Sequence, residues 1–329
     1  MSQEPPYRIT SRILGLVEEI GEAVGRAESE ALWQDLRLRR RNRIRTLHGS
    51  LAIEGNALSE EQITTILDGK PVAGPLRDIQ EARNAIKAYD EFERWDPGDE
   101  SHLLRAHELL MTALLDQPGQ YRAGQVAVVG GGEVQHVGPP AARVPQLMKD
   151  LLLWVAATDT HPLVASSVFH YEFEFIHPFE DGNGRLGRLW QTLILTRWNP
   201  LFAHIPVESL VHARQNEYYR AIRESTAEGA SSKFIEYMLE VILAALATPQ
   251  ATPQESPQVM RLLRVLTEAM PTRQILLALE LSDRRSFRAR YLAPAIAGGY
   301  VEPTRPDAPR APNQRYRLTP RGRALRDAT

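Results

Sequence analysis

Apolar residues recur at three- and four-residue spacing through almost all of the first 247 residues, a pattern typical of amphipathic helices packed together. The pattern begins with Ile9, Ile13, Leu16, Val17 and Ile20. Only residues 126–137 alternate apolar and polar positions, around a glycine turn at 130–132, which predicts a β-hairpin. The spacing therefore predicts a mainly α-helical fold that carries one hairpin. No run of 18 apolar residues occurs, so we expect no membrane-spanning helix and no membrane partner.

Composition narrows the chemistry further. The 329 residues contain no cysteine, which excludes disulfides, thiolate catalysis and cysteine-ligated metal centres. Hydrophobic residues make up 43% and charged residues 24%, as in ordinary globular proteins. The first ten residues lack the basic start and apolar stretch of a signal peptide. Together these features predict a cytoplasmic protein.

The densest chemical pattern lies at residues 177–188, between two helical segments. Gly182 and Gly184 permit backbone conformations that direct successive N–H groups at one anion, and the helix that follows adds the positive end of its dipole. Arg185 and Arg188 are three residues apart, so they share a helical face and can grip adjacent phosphates. This segment predicts a nucleotide site.

Two further residues of this segment suggest what happens to the nucleotide. Asp181 lies beside the predicted phosphates, where Mg²⁺ is commonly held by few carboxylates plus phosphate oxygens. His177 is the group of the segment that titrates near neutrality, and it suits proton abstraction from a hydroxyl. We expect a base that activates an incoming nucleophile.

Other readings of the same region fit less well. Residues 182–187 match a GxGxxG pattern, but no apolar strand precedes it, so we reject a Rossmann fold. No P-loop occurs, and His107-Glu108 lacks the second histidine of a zincin helix. The spacing of the remaining candidate metal cluster matches no familiar ligand set; its members are His170, Glu172, Glu174 and His177.

The segment resembles the Fic signature HxFx[D/E]GNGRxxR. The matching residues are His177, Phe179, Asp181, Gly182, Asn183, Gly184, Arg185 and Arg188. Family members transfer AMP from ATP to a Ser, Thr or Tyr hydroxyl of a target protein. The resemblance implies His177 as general base, Asp181 as Mg²⁺ ligand, and a buried Phe179 that seats the loop. It also implies an α-phosphate site at 182–184, with Asn183, and β- and γ-phosphate sites at Arg185 and Arg188.

Residues 119–140 are similar to the family's flap. An exposed strand edge there would pair with an extended target peptide by main-chain hydrogen bonds. The residues expected to dock the target are Gln125, Val126, Ala127 and Val128. The alternative is a structural hairpin with a covered edge.

Far upstream, residues 50–55 read Ser-Leu-Ala-Ile-Glu-Gly and resemble the family's inhibitory helix pattern [S/T]xxxE[G/N]. By that resemblance Glu54, with Ser50 one helical turn before it, would pair with Arg188 and displace the γ-phosphate. In some relatives the same glutamate assists removal of AMP instead. Tyr218, with its neighbour Tyr219, is a candidate adenine contact, although an aromatic pair on an amphipathic helix is commonly core.

Residues 258–329 differ sharply in charge from the rest. Residues 257–329 contain fourteen arginines, no lysine and six acidic residues. Three short helices followed by strands near 299–302 and 314–318 resemble a winged helix. Arg284, Arg285 and Arg288 fall at the start of its third helix, where DNA would be contacted. A protein-docking role is the alternative, because arginine is the common basic residue throughout the chain.

The predicted organisation has four parts: an N-terminal helical region with the inhibitory helix (1–98), a Fic core (99–247), a Pro- and Gln-rich linker (248–257) and the winged helix (258–329). We expect a protein adenylyltransferase that uses ATP with Mg²⁺ and that Glu54 inhibits. The alternatives are a de-adenylylase, a transferase with another donor, or a nucleotide-sensing DNA-binding regulator. A homodimer is expected from the family resemblance.

Overall fold

The computed structural model describes residues 4–29, 36–130, 133–247, 257–281, 283–305 and 314–327. The chain divides into two units, Met1–Ala247 and Thr248–Thr329. The mainly α-helical fold predicted from the periodicity is confirmed. Apart from Pro257, the predicted linker lies outside the described residues, and the division at residue 98 stays a prediction. Within the described ranges no helix has the length and apolarity needed to cross a membrane.

The first unit consists of eleven described helices and a two-stranded hairpin between the fifth and sixth. The helices are α1 (Ser11–Ser29), α2 (Leu36–Ile53), α3 (Glu60–Leu67), α4 (Leu76–Glu91), α5 (Glu100–Met111), α6 (Val144–Ala157), α7 (Pro162–Ile176), α8 (Asn183–Trp198), α9 (Val207–Ala213), α10 (Gln215–Glu228) and α11 (Ser232–Ala247). The hairpin pairs β1 (Ala127–Gly130) antiparallel with β2 (Glu133–Val137).

Helices α7 and α8 form the centre of this unit. Most of their residues are buried, including Phe169, Phe173, Leu189 and Trp190. A helix that is apolar on nearly every side belongs in the interior, and α2, α5, α6 and α11 pack against this pair. The short loop between α7 and α8 is therefore held on a rigid support, and this loop carries the motif.

Local signals set several of the surrounding boundaries. Ser59 is followed three residues later by Gln62, a spacing that predicts a capping box at the start of a helix. The structure confirms it at α3: Gln62 N–H donates to Ser59 Oγ (3.2 Å) and Ser59 N–H donates to Gln62 Oε1 (2.8 Å). The apolar spacing in the sequence predicts a single helix over 207–226. In the structure the chain leaves helical geometry at Arg214 and two helices result. Because both helices still bury apolar residues in the same core, periodicity alone did not reveal the break.

The second unit has its own apolar core and a three-stranded antiparallel sheet in the order β3-β5-β4. Its elements are α12 (Pro257–Val265), β3 (Met270–Pro271), α13 (Thr272–Ala278), α14 (Arg284–Phe287), α15 (Ala293–Ala297), β4 (Val301–Pro303), β5 (Arg315–Leu318) and α16 (Pro320–Asp327). Neither β3 nor α16 was predicted. Both are short, so their patterns are weak.

One core prediction in this unit is wrong. The apolar spacing in the sequence predicts that Ile296 lies in the core of this unit together with Phe287 and Leu292. Ile296 is instead 38% exposed, and Ala295 and Tyr300 are buried. A π turn over Arg288–Leu292 inserts one extra residue into the helical repeat. Ile296 follows Leu292 by four residues, but it lies nine residues after Phe287, which in a regular helix puts the two on opposite sides, so the spacing from Leu292 alone was a poor guide to burial.

Candidate active site

The motif begins where α7 ends. His177 adopts the left-handed conformation (φ 48°, ψ 64°) and its N–H donates to the Phe173 carbonyl (2.9 Å). Its own carbonyl accepts from Arg122 Nε (2.7 Å). The backbone of His177 is thereby held on both sides, and its side chain is 19% exposed.

Two buried side chains hold the loop that follows. Phe179 is fully buried and stacks on His107, with ring centroids 3.7 Å apart and nearly parallel planes. The Asn183 amide bonds the backbone of Phe179 in both directions, each at 2.9 Å. Because these bonds occupy the Asn183 side chain, a phosphate contact from this residue would come from its backbone N–H.

Sequence reasoning missed the role of His107. Its Nδ1 accepts from Gly119 N–H (2.8 Å), so its Nε2 carries the proton and donates to the Asp181 carbonyl (2.9 Å). Burial lowers its pKa to about 4, so the ring is neutral at physiological pH. A lone histidine on an amphipathic helix gives no signal of such a role.

Arg122 was also missed as a structural anchor. It is 7% exposed and donates to the carbonyls of His177, Gly124 (2.7 Å) and Pro139 (2.6 Å). It thus ties the base of the hairpin to the end of α7. Its place in the flap-like segment 119–140 was the available sequence signal.

The loop ends at the N-terminus of α8, in the geometry of an anion site. Gly182 has φ 84°, which favours glycine, and its N–H donates to Asp181 Oδ1 (2.6 Å). At Gly184 a Cβ would collide with Oε1 of Glu54. The carboxylate of Glu54 therefore occupies the position at this helix N-terminus that attracts anions.

Arg188 anchors that carboxylate from one turn along α8. It is 3% exposed, and its guanidinium donates to Ser50 Oγ (3.2 Å), the Ser50 carbonyl (2.9 Å) and Glu54 Oε1 (2.7 Å). Burial alone would lower the pKa of Arg188, but the charge and the hydrogen bond of Glu54, together with the smaller effects of Tyr218 and Glu174, outweigh it and the pKa is raised. The pair that the family resemblance implied is present.

Arg185 lies on the other side of the helix N-terminus. It is 4% exposed, donates to Asp181 Oδ1 (3.0 Å) and lies 3.4 Å from Glu81 Oε1. Arg77, which the sequence reasoning did not single out, donates to Asp181 Oδ2 (2.9 Å). These groups line a cavity of about 360 Å³ that also reaches Glu54. The arginine side chains at this cavity are thus paired with carboxylates.

This cavity can be tested for the metal ion that the sequence predicted. The described residues contain no group of three or more His, Cys, Asp or Glu side chains that could hold a metal. Asp181 is 37% exposed and offers one carboxylate, which fits Mg²⁺ because that ion is usually held by one or two carboxylates plus substrate phosphates. Its present partner Arg77 would have to give way.

The other residues that the sequence singled out lie in different surroundings. His170 bonds Gln191 Oε1 (2.6 Å) and the Tyr218 hydroxyl (3.1 Å), which occupies both ring nitrogens. Tyr218 is 2% exposed, so this hydroxyl is a core contact, and Tyr219 is the more exposed of the two tyrosines. Glu174 lies buried between His170 and His177.

Strand β1 starts at Ala127, two residues after the first of the four predicted docking residues. Ala127 and Val128 lie in β1, whereas Gln125 and Val126 precede it, and a bulge follows Val128. Gln125 Nε2 donates to the Gly138 carbonyl (2.6 Å) and so helps to close the base of the hairpin. The docking role of these four residues stays a prediction.

Comparison with known proteins agrees with this architecture. Residues 97–195 match the model of the Fic/DOC family, and residues 257–319 match that of the C-terminal domain of the Filamentation induced by cAMP protein Fic-like family. The protein adenylyltransferase Fic of Drosophila virilis is 25% identical over 242 residues, covering 69% of this chain and 44% of that protein. The chain thus spans less than half the length of this curated relative.

Solved structures extend the likeness to the whole chain. A Fic family protein from Desulfovibrio desulfuricans G20 is 49% identical, with a TM-score of 0.74, covering 97% of this chain and 99% of that one. A Fic domain containing signaling protein from Bacteroides thetaiotaomicron VPI-5482, 19% identical with a TM-score of 0.56, covers 83% of this chain and 98% of that one and shares the fold. The match along nearly the full length of the Desulfovibrio protein shows that this chain belongs to the Fic family.

Proposed function

We propose that the protein transfers AMP from ATP to a Ser, Thr or Tyr hydroxyl of a target protein, and that Glu54 inhibits this transfer. One observation carries the proposal: a carboxylate sits at the N-terminus of α8, where it satisfies a buried arginine and bars an anion from a site built to receive one. The adenylyltransferase name of the Drosophila relative supports the choice of transferred group.

In this mechanism His177 is the general base. As the target oxygen attacks the α-phosphorus, its proton passes to Nε2 of His177, and the bond to the pyrophosphate oxygen breaks. Because hydrogen bonds hold the backbone of His177, its ring stays in one position, which favours a fixed position for the attacking hydroxyl. The hairpin would align the target peptide along a strand edge.

The phosphates are held at the start of α8. Backbone N–H groups of the first turn bind the α-phosphate, and Arg185 and Arg188 bind the β- and γ-phosphates. Asp181 would hold Mg²⁺, which supplies positive charge against the phosphate oxygens. Glu54 and the γ-phosphate compete for Arg188, so ATP binds productively only when Glu54 withdraws.

The test is incubation of purified protein with α-labelled ATP and Mg²⁺. The proteins compared are wild type, Glu54→Gly and the double variant Glu54→Gly/His177→Ala. We expect Glu54→Gly to label itself at least tenfold faster than wild type, equivalent to about 1.4 kcal/mol of relieved inhibition. The double variant should bind ATP and transfer no label, because only the base is missing.

Each failure has its own meaning. Equal labelling of wild type and Glu54→Gly would remove Glu54 from the mechanism, and labelling by the double variant would remove His177 as base. Binding of ATP with no label in any protein would favour a nucleotide-sensing regulator or another donor. Loss of label from a pre-modified target would favour de-adenylylation.

For the second unit we infer a DNA contact through the helix that starts at Arg284. Arg284 and Arg288 lie four residues apart and are exposed, and neither pairs with a carboxylate among the residues described. Arg315 and Arg317 on β5 are exposed as well, although Glu302 pairs with Arg317. This inference rests on a winged-helix interpretation of the unit.

Anisotropy of a labelled DNA duplex tests the contact. We expect the double variant Arg284→Ala/Arg288→Ala to weaken binding and to reduce the slope of log K against log salt by about 2, because two phosphate contacts are lost. The control is Arg220→Ala, an exposed arginine of the first unit. Equal affinity of the variant and the wild type would favour protein docking instead.

A further inference from the structure

Asp181, the residue proposed to hold Mg²⁺, has different partners at its two carboxylate oxygens. Oδ1 accepts from Gly182 N–H (2.6 Å) and from Arg185 (3.0 Å), an arginine that is only 4% exposed. Oδ2 accepts from Arg77 of α4 (2.9 Å). A metal ion at Asp181 would therefore bind Oδ2, because Oδ1 is already bonded to the loop backbone and to a buried guanidinium.

A second carboxylate holds the guanidinium of Arg77 in this position. Its Nε donates to Glu81 Oε1 (3.3 Å), one turn along the same helix, while a terminal nitrogen donates to Asp181. Glu81 is 8% exposed, and its other oxygen accepts from Asn56 (2.9 Å), so this carboxylate is itself fixed. Arg77 thus bridges two carboxylates, although 61% of its side chain is exposed.

We propose that Arg77 sets the metal affinity of the site: its guanidinium occupies the cation position at Oδ2 of Asp181, and Mg²⁺ binds there only by displacing it. The inference rests on the proposed function, in which Asp181 holds the Mg²⁺ that accompanies ATP. A guanidinium and a divalent cation need the same oxygen, and two positive charges about 4 Å apart repel each other. Binding of one therefore excludes the other.

The exposure of Arg77 makes this displacement possible. Ion pairs in contact with solvent contribute little to stability, because water solvates both partners when they separate. Arg77 can therefore leave Asp181 and place its charge in water. Arg185, which is 4% exposed, would have to leave a buried position to do the same. The competition with the metal is thus assigned to Arg77 rather than to Arg185.

The ligand-free site then carries a substitute for each charged part of the complex of Mg²⁺ with ATP. Glu54 places a carboxylate on Arg188, at the proposed γ-phosphate position, and Arg77 places a guanidinium on Asp181, at the metal position. A phosphate competes with the first substitute and a divalent cation with the second. The effect of Arg77 on metal binding should therefore persist when Glu54 is removed.

Binding of Mn²⁺ alone tests the competition without ATP and without any transfer. Electron paramagnetic resonance measures free Mn²⁺ during titration of the full-length, nucleotide-free protein. We expect Arg77→Ala to bind Mn²⁺ about threefold more tightly than wild type, because the variant removes one competing exposed ion pair. The gain should be absent in Arg77→Ala/Asp181→Asn, which lacks the carboxylate for which the two cations compete.

Two further variants separate competition at Asp181 from a general effect of charge. Arg77→Lys keeps a cation at this position of α4, so its Mn²⁺ affinity should stay close to that of wild type. Arg83→Ala removes the same charge from another exposed position of α4, and Arg83 makes no contact with Asp181 among the residues described. It should leave the Mn²⁺ affinity unchanged.

A non-hydrolysable ATP analogue extends the test to the nucleotide complex. In the Glu54→Gly background, isothermal titration gives the affinity for the analogue with Mg²⁺ and again in EDTA. Because the metal and the nucleotide bind in linkage, the ratio of the two affinities reports how well the site accepts the metal. We expect this ratio to be about threefold larger in Glu54→Gly/Arg77→Ala than in Glu54→Gly.

Each outcome decides the role of Arg77. Equal Mn²⁺ affinity of wild type and Arg77→Ala, or an equal gain in Arg83→Ala, would overturn the inference. A loss of analogue affinity both with Mg²⁺ and in EDTA would identify Arg77 as a phosphate ligand, which would overturn it as well. If Mn²⁺ binding changes as expected but no protein transfers AMP, the proposed function fails and the role of Arg77 in metal affinity stands.

Discussion

The loop that provides the anion site and the turn that fills it are held in different ways. Residues 177–183 are fixed by buried side chains that bond the loop backbone, namely Arg122, His107 and Asn183. The turn after α2 meets the site through Glu54, whose side chain is 32% exposed, whereas its partner Arg188 is 2% exposed. One member of the pair is enclosed and the other faces solvent.

That difference indicates which part moves. Withdrawal of Glu54 removes one charged contact and returns a partly hydrated carboxylate to water, at a modest cost in free energy. Withdrawal of the loop would break several buried hydrogen bonds, each worth about 1 kcal/mol. A permanent site with a removable carboxylate is the arrangement that the proposed inhibition by Glu54 requires, and the following predictions test it from the largest effect to the smallest.

Arg188→Ala should have the largest effect, because it removes the buried guanidinium that the turn and the phosphates share. In the Glu54→Gly background we expect ATP affinity to fall about 100-fold, or about 2.7 kcal/mol. Isothermal titration with a non-hydrolysable ATP analogue measures it. Arg220→Ala, whose arginine is 61% exposed, is the control; an equal affinity in both variants would contradict the role of Arg188.

Lowering the pH should destabilise the protein through His107, which holds the loop. The pKa of His107 is lowered to about 4 by burial, so the folded protein keeps this ring neutral while the unfolded chain protonates it below about 6.5. The stability that the neutral ring contributes is present above pH 6.5 and is lost as the pH falls through 4. Between pH 7 and 4.5 we expect a loss of about 2 kcal/mol from this group.

Urea unfolding at the two pH values, for wild type and His107→Gln, isolates that contribution. The variant keeps an amide for hydrogen bonding but cannot titrate, so its stability should fall less. His170 is present in both proteins and cancels in the comparison. Parallel losses in the two proteins would show that His107 does not govern the acid sensitivity.

A matched pair of asparagines sharpens the contrast. Asn183 makes two bonds to Phe179 in the loop, and Asn56 donates to Glu81 Oε2 (2.9 Å) and the Asp78 carbonyl (3.1 Å) behind the turn. We expect Asn183→Ala to lower labelling and to cost about 2 kcal/mol of stability. Asn56→Ala should instead raise self-labelling of the otherwise wild-type protein about threefold. Changes in the same direction would refute the division into site and inhibitor.

Ser50→Ala should have the smallest effect. It removes the 3.2 Å bond from Arg188 Nε, worth about 0.5 kcal/mol, and so should speed self-labelling about twofold. Ser59→Ala is the control: it removes the cap of α3 at a cost of about 1 kcal/mol, without touching Arg188. Labelling rates and melting temperatures of the two variants are compared. Faster labelling by Ser50→Ala alone supports the prediction, and equal rates contradict it.

Much of the fold was accessible from the sequence. The helical repeat, the one alternating segment and the capping box at Ser59 are local patterns, and each has a direct counterpart in the structure. The break at Arg214 and the π turn after Phe287 were not accessible, because neither changes the apolar spacing enough to be read.

The candidate site also has parts that the sequence predicts and parts that it does not. The sequence by itself determined that the two glycines, the histidine proposed as base and the two arginines meet at one helix N-terminus, because residues 177–188 are contiguous and their spacing fixes this arrangement. Only the tertiary structure decided that Arg122, His107, Arg77 and Glu81 join them, since these residues are distant in sequence and carry no periodic signal. It also decided that the side chains of Asn183 and Tyr218 make buried contacts within the protein, because burial is a property of the assembled helices and not of any one segment.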